Sequence, residues 1–134
     1  MSYDISLHDP VTKEVLLLDE PHQMKGGTFA VGGTIEASIN VTYNYAEIFQ
    51  RAFENGSMRL DEYDLIFGRA DSGIRSLYGK TGAEALPTLE AAIAQLSGDT
   101  DPDYWKATEG NAKKALCSLR ALCQMRPDGV INGD

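Results

Sequence analysis

Between Ile35 and Tyr43 every second residue is apolar: Ile35, Ala37, Ile39, Val41 and Tyr43 alternate with Glu36, Ser38, Asn40 and Thr42. A two-residue period gathers those side chains on one face only in a β-strand, because a helix would scatter them around its axis. Gly32-Gly33 joins this run to Thr28–Val31 and can supply the positive φ angles of a tight turn, so a hairpin is expected over 28–43. The N-terminus carries the same signal, with Tyr3, Ile5 and Leu7 alternating against Asp4, Ser6 and His8. Asp9-Pro10 marks a turn, after which Glu14–Leu18 reads as a second strand.

After Tyr43 the period lengthens. Asn44 is placed to cap a helix, with Glu47 three residues on as its reciprocal partner, and Ile48, Phe49, Ala52 and Phe53 form one apolar stripe. Asn55-Gly56 stops it. Leu60, Tyr63, Leu65, Ile66 and Phe67 suggest a short second helix. Ile74, Leu77 and Tyr78 make a helical turn closed by Gly79. Thr81 and Glu84 have capping-box spacing ahead of Leu86, Leu89, Ile93 and Leu96. Pro87 lacks a backbone donor, which predicts a kink or a later start for that helix. Thr108 caps a last helix whose buried face is Ala112, Ala115, Leu116, Leu119, Leu122 and Cys123, and Arg126-Pro127 ends it. Separated strand and helix patterns give an α+β fold, with N-terminal antiparallel strands packed on a C-terminal layer of three to four helices. A chain of 134 residues fits a single domain over 1–134: strands about 3–43, helices about 45–126, and a loose tail over 127–134.

Charge narrows the partners. Twenty acidic against twelve basic residues give a formal charge of -8, which disfavours direct contact with nucleic acid or anionic membranes. The opening residues, MSYDISLHDP, have neither a basic nor an apolar segment of a secretory signal, and no apolar run is long enough to span a bilayer. The expected location is cytoplasmic. Cys117 and Cys123 sit six residues apart in a helical pattern, hence on different faces, and are expected to be buried, reduced thiols.

Little of this carries chemistry. Tyr78-Gly79-Lys80-Thr81-Gly82 brings a P-loop to mind, but the required upstream glycine position holds Ile74 and no strand precedes it; a glycine C-cap followed by a threonine N-cap explains the segment. Asp19, Glu20 and His22 around Pro21 read as a solvated turn rather than a metal site. With two histidines near the N-terminus and two core-facing cysteines, a Ser-His or Cys-His nucleophile has no sequence support, although such groupings are spatial. No catalytic residue, metal ligand or cofactor is assigned. Two aromatic-amide segments stand out: Thr42-Tyr43-Asn44-Tyr45 and Tyr104-Trp105 through Asn111. Both precede helices, whose free N–H groups attract anions and carbonyls. They define a candidate ligand site in which Tyr43, Tyr45 and Trp105 supply stacking faces, and Asn44, Thr108 and Asn111 supply hydrogen bonds. Arg75 and Lys80 are the cations for an anionic group. Helix caps and aromatic staples draw on these same residue types.

Asn40 to Tyr45, Gly73-Ile74-Arg75 through Gly79-Lys80-Thr81-Gly82-Ala83-Glu84, and Tyr104-Trp105 through Gly110-Asn111-Ala112 resemble one small protein family of bacterial genomes and of phages or prophages. The resemblance covers roughly residues 40 to 134. It brings no established activity and implies only a phage or mobile-element setting, in which host-directed binding proteins are expected. The leading expectation is a non-enzymatic binding protein that captures a small nucleotide-like ligand or a host protein, in an anti-defence role. The alternatives are an acidic inhibitor imitating nucleic acid, a role weakened by the basic residues that interrupt most acidic stretches, and an enzyme without a recognisable motif.

Overall fold

The computed structural model describes residues 2–22, 34–56 and 73–133. Strand β1 (Ser2–His8) is central in a three-stranded antiparallel sheet, between β4 (Ser38–Thr42) and β5 (Val130–Gly133). β2 (Leu17–His22) and β3 (Thr34–Glu36) form a separate antiparallel pair. Helices α1 (Ala46–Gly56), α2 (Gly82–Ala94) and α3 (Glu109–Met125) complete the α+β architecture, with α2 against both α1 and α3. Short 3-10 helices cover Tyr43–Tyr45 and Gly73–Leu77.

The core forms where the two periods meet. Tyr3, Ile5 and Leu7 of β1, Ile39 and Val41 of β4, and Ile131 of β5 share one buried face. Ile48, Phe49, Ala52 and Phe53 of α1 join them in a single cluster with Leu89 of α2 and Leu116, Leu119 and Leu122 of α3. Burial of apolar surface on this scale is the main driving force of folding.

The alternating run does not remain one strand. It bends at Ala37, whose N–H donates to the Leu16 carbonyl (2.8 Å) and whose carbonyl accepts from Leu7 N–H (2.9 Å). Ala37, Ile39 and Val41 keep the buried face, whereas Ile35 passes into β3 and is exposed. Within the described residues β3 pairs with β2; Thr28–Val31 and the Gly32-Gly33 turn of the expected hairpin lie outside them. The helix suggested by Leu60 to Phe67 lies outside them too.

Four other expectations change. Val15 makes a lone bridge with His8, and the second strand proper is β2, so Asp19, Glu20 and His22 lie in a strand and not a turn. Thr42, not Asn44, caps the helical entry: its Oγ1 accepts from Asn44 N–H at 3.1 Å. α2 begins at Gly82 and runs through Pro87, which excludes the later start of the two alternatives that Pro87 offered. Residues 130–133 are no loose tail, since β5 pairs with β1 and buries Ile131 completely. The caps at Thr81 and Thr108 are as expected. Thr81 Oγ1 accepts from Glu84 N–H (3.1 Å) while Glu84 accepts from Thr81 N–H (2.9 Å), and Thr108 Oγ1 caps α3 through Asn111 N–H (3.1 Å).

Candidate binding site

The Tyr43–Tyr45 turn and the loop before α3, about sixty residues apart in the chain, meet in the fold. Thr42 N–H donates to Tyr104 Oη at 2.8 Å, Asn44 Nδ2 donates to the Trp105 carbonyl at 2.8 Å, and the Tyr45 hydroxyl donates to the Tyr104 carbonyl. The rings interlock edge-to-face: Tyr45 against Tyr104 at 5.6 Å between centroids, and Tyr104 against Trp105 at 5.0 Å. Such pairs add to the area they bury. Burial, reinforced by Tyr104 and Asp103, pushes the Tyr45 hydroxyl up to about 12. Burial also raises Tyr104, partly offset by the hydrogen bond from Thr42. Both phenols are therefore neutral at physiological pH.

The loop is folded on itself by its own carboxylates and amide. Asp101 accepts from Asp103 N–H (2.8 Å), and Asp103 accepts from Trp105 N–H (3.0 Å). Asn111 is buried and fully used. Its Oδ1 accepts from Asp101 N–H (3.0 Å), and its Nδ2 donates to the carbonyls of Asp103 (3.0 Å) and Lys106 (3.1 Å). Gly110 N–H donates to the Asp99 carbonyl at 2.9 Å, and a Cβ at Gly110 would lie 2.4 Å from the Asp99 carbonyl carbon, so only glycine lets α3 approach the loop. The N–H groups of Gly110, Asn111 and Ala112, at the N-terminal end of α3 where an anion was expected, all have protein partners.

The eight candidate residues thus separate. Tyr45, Thr108 and Asn111 hold the joint together from within. Trp105, 50% exposed, and the exposed Asn44 form its outer surface, with Tyr43 half-buried beside it. Arg75 joins from the Gly73–Leu77 turn: Nη2 donates to Tyr43 Oη at 3.0 Å, and its guanidinium lies 5.1 Å and 5.3 Å from the ring centroids of Tyr3 and Tyr43. Lys80 belongs elsewhere. Its carbonyl accepts from Ile131 N–H (2.8 Å), and its charge helps hold the Glu84 carboxyl low, after the Thr81 hydrogen bonds.

A groove of about 150 Å³ opens at a different place, lined by Ile48, Arg51, Ala52, Gln95, Leu96 and Glu109. It brings together α1, the two residues that follow α2 and the first residue of α3, and no local pattern in the sequence announces it. Its volume is below the roughly 300 Å³ at which ligand pockets usually begin. Among the described residues no group of three His, Cys, Asp or Glu side chains could hold a metal ion, and no helix is long and apolar enough to cross a membrane.

Comparison with protein families, with curated proteins and with solved structures finds no match to this chain. The motif resemblance therefore gains no support from them.

Proposed function

We propose that this chain is a non-enzymatic binding protein whose contact surface is the outer side of the Tyr43–Tyr45 and Tyr104–Asn111 joint. The supporting observation is Trp105: an aromatic ring half exposed, yet fixed through its own N–H, its carbonyl and the Tyr104 ring. Interface energy concentrates in such aromatic anchors, and an anchor already held in place loses little entropy on binding. Asn44 and Tyr43 lie beside it as polar and aromatic neighbours. A half-exposed aromatic held rigidly on an outer surface is the kind of anchor that protein interfaces use, which favours a protein partner over the small nucleotide-like ligand. A host protein is the partner class that a phage or mobile-element setting would supply, and an anti-defence role has no basis beyond that setting.

The experiment is a paired affinity capture from host lysate with the native chain and Trp105→Leu as baits, each first checked for folding by circular dichroism. A partner retained by the native bait should fall at least about tenfold on the variant, as expected for the loss of a central anchor. Equal capture by both baits would remove Trp105 from the contact and refute the surface. A nucleotide that shifts Trp105 fluorescence would instead favour the small-ligand reading.

A further inference from the structure

The polar face of the central strand carries an arrangement that the binding surface does not use. Ser6 and His8 stand two residues apart in β1, so both project from the side opposite the buried Ile5 and Leu7. Ser6 Oγ lies 2.7 Å from His8 Nε2, and His8 Nδ1 lies 2.9 Å from the Lys13 carbonyl oxygen. A carbonyl can only accept, so Nδ1 bears the hydrogen. In the neutral ring Nε2 then keeps its lone pair, and the Ser6 hydroxyl donates to it. Nucleophile, base and orienting acceptor are in sequence, with a backbone carbonyl where a carboxylate often stands.

The turn that presents this carbonyl is pinned. Asp9 Oδ1 accepts from the N–H groups of Val11 (2.8 Å) and Thr12 (2.9 Å), Lys13 N–H donates to the Asp9 carbonyl (2.9 Å), and Asp9 N–H to the Glu14 carbonyl (2.8 Å). Lys13 itself has φ 66°, the one non-glycine residue in the left-handed region among the described residues. A side chain in that region is uncommon, and such residues gather at functional sites.

We propose that Ser6 is a nucleophilic hydroxyl activated by His8, and that it accepts acyl groups from small esters with good leaving groups. The Oγ lone pair forms a bond to the acyl carbon as His8 Nε2 takes the hydroxyl proton. The bond from the acyl carbon to the leaving oxygen breaks, that oxygen departs with the electron pair, and His8 returns the proton to solvent. The product is a serine ester. The pair supplies a nucleophile and its base alone, which suits one stoichiometric transfer and not rapid turnover. It is thus a modification site, compatible with a non-enzymatic role.

Ser38 is the internal control, because it pairs directly with Ser6 across the sheet and is likewise half-buried. The native chain is treated with p-nitrophenyl acetate and acetylation is measured by peptide mass spectrometry. General-base assistance is worth about 100-fold or more, so Ser6 should exceed Ser38 by at least about tenfold. His8→Gln, which retains hydrogen-bonding capacity but cannot take the proton, should bring Ser6 down to the level of Ser38. Equal labelling of the two serines in the native chain overturns the proposal, as does Ser6 labelling that survives in His8→Gln. The native Ser6-to-Ser38 ratio decides the matter even if the variant fails to fold.

Discussion

Cys117 and Cys123 show how far a residue's chemistry follows from its place on a helix. Both are free, but Cys123 is completely buried and Cys117 only half so. Desolvation pushes the Cys123 thiol up to about 11, which removes the thiolate that would react. Alkylation of the native protein at neutral pH should therefore label Cys117 alone, while denaturant without reductant should expose both thiols. Mass spectrometry counts the labels, and two rapid labels in the native state would contradict the burial of Cys123. The helical period put the pair on different faces; it could not grade their burial, which depends on what each face meets. Asn44 and Asn111 pose the same limit. Each precedes or opens a helical segment, yet one amide faces outward beside Trp105 and the other is consumed inside the loop. Only tertiary placement separates them.

Among the elements, the helix starts at Thr81 and Thr108 were legible from short-range chemistry, whereas the same reasoning placed the first cap at Asn44 instead of Thr42. The start of α2 is marked in the sequence by Thr81 and Glu84, three residues apart, and the reciprocal hydrogen bonds are present. Thr81→Ala should lower unfolding stability by about 0.5–2 kcal/mol at pH 7. The Thr81 backbone N–H also holds the Glu84 carboxyl below its ordinary range. A depressed carboxyl pKa stabilises the fold above the unfolded pKa, near 4.3, and that contribution is lost as pH falls through the folded value. Glu84→Gln should accordingly destabilise at pH 7, and its deficit against the native chain should shrink towards pH 3. Urea unfolding at the two pH values measures this; a deficit that is constant with pH would detach Glu84 from the cap. The β elements were less legible. The alternation from Ile35 to Tyr43 identified strand, but nothing in it fixes the bend at Ala37, which arises from hydrogen bonds to Leu7 and Leu16 far back in the chain. The joint around Trp105 was visible as residue types and not as geometry, since its closing contacts run between segments about sixty residues apart.

At the scale of the whole molecule the least visible feature is the one that closes it. Val130-Ile131-Asn132-Gly133 is too short and too polar at its end to announce a strand, and it follows a helix stop at Arg126-Pro127. Its pairing is decided by what surrounds it. Ile5 to His8 of β1 bond one edge, while the other receives Gly79 N–H at the Ile131 carbonyl (2.8 Å) and gives Ile131 N–H to the Lys80 carbonyl (2.8 Å). The last residues therefore join the first strand to the entry of α2, and Ile131 enters the core beside Leu7 with no exposed surface. Truncating so enclosed a side chain leaves a cavity that neighbouring groups fill only in part. Ile131→Ala should cost about 2–5 kcal/mol, a large fraction of the stability of an ordinary domain. Denaturant unfolding followed by Trp105 fluorescence and by circular dichroism should show one earlier transition common to both probes, because the sheet and helices share a single core. A chain ended before Val130 should lose more, through the hydrogen bonds of both β5 edges as well as Ile131. An Ile131→Ala midpoint indistinguishable from native would mean that β5 contributes nothing to the fold, and the three-stranded sheet would have to be abandoned.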